Sequence, residues 1–232
     1  MIRSQRERLL VHLTVDLVVL TIRARALHVL VVERGTSPFE GRLALPGGFL
    51  RGREVLDEAA ARELREETGL EGLHLEQVRV YSDPDRDPRD RRVVTCSYLA
   101  IAPDLPIPDA GSDARAAHWE PVENLLANPD ALAFDHGEIL ADAVELARTK
   151  LQYTTIATSF CEPEFTISDL REVYEAIWGL RLDAPNFHRK VREADGFLVA
   201  TGGKRASPLG RPAALYRAGD ATQLAPPMIR PR

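Results

Sequence analysis

From residue 12 the chain alternates between apolar and polar positions, with Leu13, Val15, Leu17 and Val19 in one phase and His12, Thr14 and Asp16 in the other. A period of two is that of a half-buried strand, and it predicts strands over 12–22 and 26–33. Two later runs, 73–82 and 92–102, are rich in β-branched and aromatic residues and predict two more. Between these pairs the period lengthens to that of a helix over about 54–68, opened by the "PGG" turn at 46–48 and ended by Gly69 as a C′ residue. The segments "DPDRDPRDRR" (83–92) and "PDLPIPDAGSD" (103–113) are broken by proline and read as irregular. "HWEPVENLLANPD" then leads to a helix over about 136–151, with Ile139, Leu140, Ala143, Val144 and Ala147 at helical spacing. That helix either completes the first unit or bridges to a second, and the pattern leaves both open. The class is mixed, α/β or α+β.

Residues 152–165 carry no clear period, so a boundary is expected there. Beyond it "TISDLREVYEAIWG" opens with Thr166 as N-cap and lines Leu170, Val173, Tyr174, Ile177 and Trp178 along one face. A second helix begins with Asp183 as N-cap and Pro185 in its first turn. "GFLVATGGKRASPLGRPAALYRAG" follows as a hairpin with a long tip. The expected division is therefore 1–151, 152–220, and a loose tail over 221–232 containing Pro226, Pro227 and Pro231.

Composition narrows the class. A hydrophobic fraction of 44% beside 28% charged residues is that of a soluble globular chain, and no apolar run approaches the roughly 18 residues of a membrane span. The basic-then-apolar start resembles a signal peptide, but His12, Thr14 and Asp16 interrupt it. Cys96 and Cys161 fit neither a disulfide framework nor a metal knuckle, which points to a reducing cytoplasm. Charge is uneven: residues 1–150 hold 19 Lys and Arg against 26 Asp and Glu, a net of −7, whereas 151–232 hold 11 against 9, a net of +2. Within 186–217 seven basic residues face two acidic ones, so the two modules are expected to have different partners.

The first module's chemistry is concentrated in the acidic helix. At 100° per residue, Glu63 and Glu67 fall about 40° apart and Glu66 about 60° to the other side of Glu63. Three carboxylates crowded near a helix C-terminus repel one another and oppose the dipole. A hard divalent cation, Mg²⁺ or Mn²⁺, would relieve both conflicts; otherwise they form a solvated charged face. The fuller spacing is Gly48, five residues, Glu54, seven residues, then Arg62-Glu63-Leu64-x-Glu66-Glu67-x-Gly69-Leu70. It resembles the Nudix signature at all nine fixed positions. The resemblance covers roughly residues 10–150, and "AHWEPVENL" resembles the tryptophan-bearing strand that closes such domains.

The resemblance implies an α/β/α sandwich that processes a nucleoside diphosphate linked to another group. Glu63, Glu66 and Glu67 would hold the metals, one of them or a nearby carboxylate activating water. Arg62 would orient the carboxylates and Glu54 would support the helix. Gly47 and Gly48 would let the loop approach the phosphates. "YSDPDRDPRDRRVVTCSYLA" resembles the corresponding segment of the branch that processes or senses ADP-ribose. Arg86, Arg89 and Arg91 would meet a diphosphate or ribose there, or simply belong to a solvated loop.

Two short helices and a basic hairpin suggest a winged helix-turn-helix. Asn186, His188, Arg189, Lys190 and Arg192 suit a helix in the major groove, and Thr201, Lys204, Arg205 and Arg211 suit a wing on phosphates. "FTISDLREVYEAIWG", "LDAPNFHRKV" and "GRPAALYR" resemble the C-terminal pattern of the Nudix-related transcriptional regulators of NAD metabolism. That family implies a homodimer on a palindromic DNA operator, usually a repressor, released by ADP-ribose or a related nucleotide. Many of its members carry eroded boxes, whereas this one is intact. The alternative is therefore a working ADP-ribose pyrophosphatase whose rear domain serves dimerisation.

Overall fold

The computed structural model describes residues 9–89, 91–103, 105–106, 114–207 and 210–231, excluding the side chains of 114, 115, 207, 210 and 211. They form two compact units. The first takes the described residues of 9–19, 29–100 and 114–143, and the second those of 20–28, 101–106 and 144–231.

The first unit holds most of a mixed-length sheet, of which residues 20–28 and 101 fall in the second unit. Its strands are β1 (Val11–Arg23), β2 (Ala26–Arg34), β3 (Leu43–Ala44), β4 (Gly47–Phe49), β5 (Glu76–Tyr81), β6 (Arg92–Ile101) and β7 (Ala114–Pro121). The path runs β3-β2-β1-β6-β5, with β4 paired to β1 and β7 to β2. All four strands expected from periodicity are present, and Trp119 lies on β7. The alternation in β1, however, does not mean what a period of two suggests. The strand is buried without interruption from Thr14 to Thr21, so both faces are covered, while Leu13 is 46% exposed. Thr14 and Asp16 are the buried members of the polar phase because β4 and the loop at 83–92 cover them.

Helix α1 (Leu56–Thr68) buries Ala59, Ala60, Arg62, Glu63, Leu64 and Thr68 along one side. Gly69 ends it in the left-handed region at φ 70°, its N–H bonded to the Arg65 carbonyl at 3.0 Å. Ahead of it, Glu58 accepts the Val55 N–H at 3.1 Å and serves the N-terminal turn. A short helix α2 (Val122–Ala127) follows β7.

Helix α3 (His136–Tyr153) runs through the division between the units, which falls between Ala143 and Val144 rather than at 151/152. In the second unit it is followed by a 3-10 segment, Ile156–Phe160, in the stretch that showed no period. Then come α4 (Ile167–Trp178), α5 (Ala184–Glu193) and the antiparallel pair β8 (Leu198–Ser207) and β9 (Gly210–Ala218). Both expected N-caps are made: Thr166 Oγ1 accepts the Asp169 N–H at 3.2 Å, and Asp183 accepts that of Asn186 at 2.9 Å. The core gathers Leu170, Tyr174, Ile177, Trp178, Phe187, Val191 and Phe197. Tyr174 meets Trp178 and Phe187 edge-on at 4.9 and 5.2 Å.

The end of α3 explains a departure from expectation. The last four carbonyls of a helix have no partner within it, and each of these finds one. Thr154 N–H donates to Lys150, Tyr174 O–H to Leu151, Met228 N–H to Gln152 and Leu224 N–H to Tyr153, at 2.8, 3.1, 2.9 and 2.9 Å. The segment expected as a loose tail is thus a packed strap. Leu224 and Met228 are 6% and 2% exposed, because two apolar side chains among the prolines cover the helix while their backbone caps it.

Tyr174→Phe keeps the ring but strips the Leu151 carbonyl of its buried donor. It is expected to cost about 1–3 kcal/mol, read as a lower thermal midpoint by circular dichroism. Tyr153→Phe, on a ring that is 50% exposed, should leave the midpoint unchanged.

Candidate functional site

The candidate site of the first unit is a cleft of about 360 Å³ between β4, α1, the end of β2 and the loop residues Arg86, Asp87 and Arg89. Its floor depends on two glycines. β4 lies antiparallel to β1, with Asp16 opposite Gly47 and Val15 opposite Gly48. A Cβ at Gly47 would sit 2.3 Å from the Val15 carbonyl oxygen, and one at Gly48 would sit 2.3 Å from Glu63 Oε1. Any side chain would displace either the strand or the carboxylate.

Above this floor, α1 is tied to its preceding loop by Arg62, which is 9% exposed. Nε and Nη2 donate to the two oxygens of Glu54 at 2.6 and 3.0 Å, and Nη2 also reaches the Phe49 carbonyl at 3.1 Å. Nη1 donates to Glu63 at 2.5 Å and to Glu66 at 3.2 Å. Hydrogen bonds from Arg62, then from the Arg51 N–H, pull the Glu54 carboxyl down to about 2. Glu66 is lowered chiefly by the Arg51 side chain, which donates at 2.9 Å, and then by Arg62. Glu67 accepts the Gly47 N–H at 2.9 Å.

Glu63 and Glu67 therefore line the cleft, while Glu66 lies beside them on Arg51 and Arg62. Among the described residues no three His, Cys, Asp or Glu side chains converge as a ready-made metal cage. The donors are nonetheless oxygen alone, the type hard divalent cations take, and Gly48 leaves the buried Glu63 carboxylate facing the loop.

The opposite wall holds a buried ionic set. Arg86 is bidentate to Asp135 at 2.8 and 2.6 Å and reaches Asp16 at 3.3 Å. His136 Nδ1 accepts the Leu45 N–H at 2.9 Å, which leaves the proton on Nε2, 3.5 Å from Asp16. Burial drives the His136 pKa down, so the ring is neutral. Of the three arginines singled out in this loop, Arg86 is thus buried in ion pairs at the cleft wall. Arg89 is folded onto Asp87 while facing the cleft. Arg91 is exposed, its guanidinium carbon 4.6 Å from the Phe49 ring centre. Asp16, Arg34, Phe134 and His136, none of which the motifs single out, also line the cleft. A signal existed for Asp16 alone, as a lone acid in an apolar strand.

In the second unit α5 buries Phe187 and Val191 and exposes Asn186, His188, Arg189 and Arg192, with Lys190 half-buried. Arg189 is held by Glu193 and by Asn186 Oδ1, each at 2.8 Å. On the hairpin Lys204 is exposed, whereas Arg205 reaches back to Asp169 at 2.7 Å and the Glu164 carbonyl at 3.1 Å. Thr201 Oγ1 bonds within the hairpin, to the Leu215 carbonyl at 3.3 Å. The Arg211 side chain lies outside the described residues. No helix among the described residues is long and apolar enough to cross a membrane.

Comparison with known proteins matches the NUDIX domain to residues 11–143 and the NrtR DNA-binding winged helix domain to residues 157–218. The ADPR responsive transcriptional repressor NtrR of Acinetobacter baylyi is 32% identical over 207 residues, covering 88% of this chain and 81% of that protein. The ADP-ribose pyrophosphatase of Methanocaldococcus jannaschii is 41% identical over 115 residues, 49% of this chain and 64% of that protein. Shewanella oneidensis NrtR complexed with a 27mer DNA superimposes with a TM-score of 0.69 at 33% identity, covering 89% of this chain and 93% of that one. The Nudix domain of the same protein complexed with ADP ribose gives 0.55 at 31%, over 63% and 94%. With both domains matched in order, and a repressor aligned along most of its length, the chain belongs to the NrtR family of Nudix-domain transcriptional regulators.

Proposed function

We propose that the protein is an ADP-ribose-responsive transcriptional repressor whose Nudix cleft binds the nucleotide and whose winged helix binds a DNA operator. The observation that carries this is the union, on one chain, of a glycine-floored carboxylate cleft with a helix presenting Asn186, His188, Arg189 and Arg192 to solvent. Relatives matched over both domains include a repressor named for its response to ADPR and a regulator crystallised on DNA. The operator is palindromic and the protein binds it as a homodimer, each winged helix taking one half-site. Ligand and operator favour different arrangements of that dimer, so each weakens the other's binding by the same factor. The genes so controlled are those of NAD metabolism.

Within the cleft, Gly47 and Gly48 admit the diphosphate, and Arg89 and Arg91 turn from Asp87 and Phe49 towards it. Arg86 keeps the loop in place from its buried pairs. Glu63, Glu66 and Glu67 would hold Mg²⁺ or Mn²⁺, which would supply charge neutralisation of the diphosphate and acidification of water. Arg62 fixes the carboxylates, and Glu54 fixes Arg62. On DNA, Asn186, His188, Arg189, Lys190 and Arg192 enter the major groove, while Thr201, Lys204, Arg205 and Arg211 serve the wing.

A second reading, hydrolysis of ADP-ribose, rests on the complete box and on the pyrophosphatase matched at 41% identity. Slow turnover would make the sensor reset itself.

Electrophoretic mobility shift against the protein's own upstream region should give a retarded band that ADP-ribose dissolves; no band under any condition would sink the regulator reading. Lys204→Ala removes a cation from the DNA phosphates, so it should weaken binding across all sequences. The slope of log affinity against log salt concentration should become shallower by about 1. If the box is hydrolytic, AMP accumulates with Mg²⁺ or Mn²⁺ and vanishes in Glu66→Gln. Undiminished AMP formation in that variant would remove Glu66 from the chemistry.

A further inference from the structure

We propose that Phe134, with the Arg34 guanidinium over it, is the platform on which the cleft reads the planar base of its nucleotide. The inference rests on the nucleotide-binding reading above and adds the residue that tells a nucleotide from any other phosphate ester.

The backbone gives the first sign. Phe134 has φ 55° and Phe39 has φ 63°, the left-handed region that bulky side chains avoid. Strain of this kind persists only where the surroundings impose it, and it concentrates at ligand sites. The two rings meet edge-on, their centres 4.9 Å apart. They pack against Val32, Ala44, Ala117 and Ala133 but are only partly buried, so a share of each ring faces solvent. A phenylalanine serving the core alone would need neither the strained backbone nor the exposure.

The surroundings of Phe134 supply the second sign. The Arg34 guanidinium carbon lies 4.7 Å from its ring centre, and that of Arg89 lies 5.7 Å away. Arg34 is fixed there by its Nε bond to the Pro38 carbonyl at 2.8 Å. Burial, then the neighbouring Arg89 charge, lowers the Arg34 pKa against the opposing pull of Asp87, Glu67 and Asp16. An aromatic ring with a guanidinium beside it makes a polarisable surface suited to a base.

Position supplies the third. Phe134 borders the cleft that contains Gly47, Gly48, Glu63 and Glu67, and also a neighbouring hollow of about 680 Å³. Asp83, Asp85, Asp135 and Glu138 line that hollow together with Arg79 and Arg86, an excess of negative charge that disfavours phosphates. With the diphosphate on the glycine floor, the uncharged base attached to it lies at Phe134, which borders both hollows.

The test uses the full chain and three probes: ADP-ribose, AMP and Mg²⁺-pyrophosphate, the last having no base. By titration calorimetry, Phe134→Leu should weaken ADP-ribose and AMP about tenfold and leave pyrophosphate unchanged. Phe134→Trp should hold ADP-ribose within about threefold of the parent. Its added fluorescence, after subtraction of the parent signal from Trp119 and Trp178, should be quenched by ADP-ribose and AMP but not by pyrophosphate. Equal losses for all three probes in Phe134→Leu, or an unquenched tryptophan in a variant that still binds ADP-ribose, would overturn the platform. ADP-ribose binding by both the parent and Phe134→Leu at equal affinity overturns the platform alone. Failure of the parent to bind ADP-ribose overturns the nucleotide reading with it.

Discussion

The site depends on one guanidinium. Arg62 distributes its donors over Glu54, Glu63, Glu66 and the Phe49 carbonyl, and so fastens α1 to β4 and to the turn between them. Only a planar fork can serve acceptors on both sides at once; a lysine ammonium would have to choose. The arrangement also bears on the crowded glutamates. Their mutual repulsion, which considered alone calls for a bound cation, is already relieved by Arg62 and Arg51. A metal entering here would compete with the protein's own cations for the same oxygens, Arg51 being the more exposed of the two.

The opposite wall follows the same logic with deeper burial. Removing water from Arg86, Asp16 and Asp135 is costly, and the bidentate geometry is what makes the cluster tolerable. Breaking one member would leave its partner charged and unpaired in the interior. The cluster therefore fixes the loop to the sheet and orients neutral His136, rather than offering a free charge to a ligand. Less deeply buried charge lies farther out, on Arg89 and Arg91.

What the sequence revealed and what it hid divide along range. The carboxylate helix, its glycine stop and both N-caps of the winged helix were legible because their geometry is set within a few residues. The four long strands were legible from period and composition. The facing of β1 was not: Asp16 is buried because Arg86, 70 positions away, neutralises it, and no local pattern announces such a partner. The 221–232 segment misled for a similar reason. Its prolines argue against regular structure, which is correct, but its value to the fold lies in two backbone N–H groups supplied to a distant helix. Phe134 and Arg34 escaped notice because a strained backbone and a guanidinium over a ring leave no mark on composition.

The strap at the end of α3 also bears on how the chain is made. Met228 is synthesised 75 residues after Tyr153, which at ribosomal rates is roughly 4–15 s. For that interval the helix terminus it caps has bare carbonyls and an uncovered apolar flank. The sheet of the first unit can close meanwhile, but the second unit must wait for its latest segment.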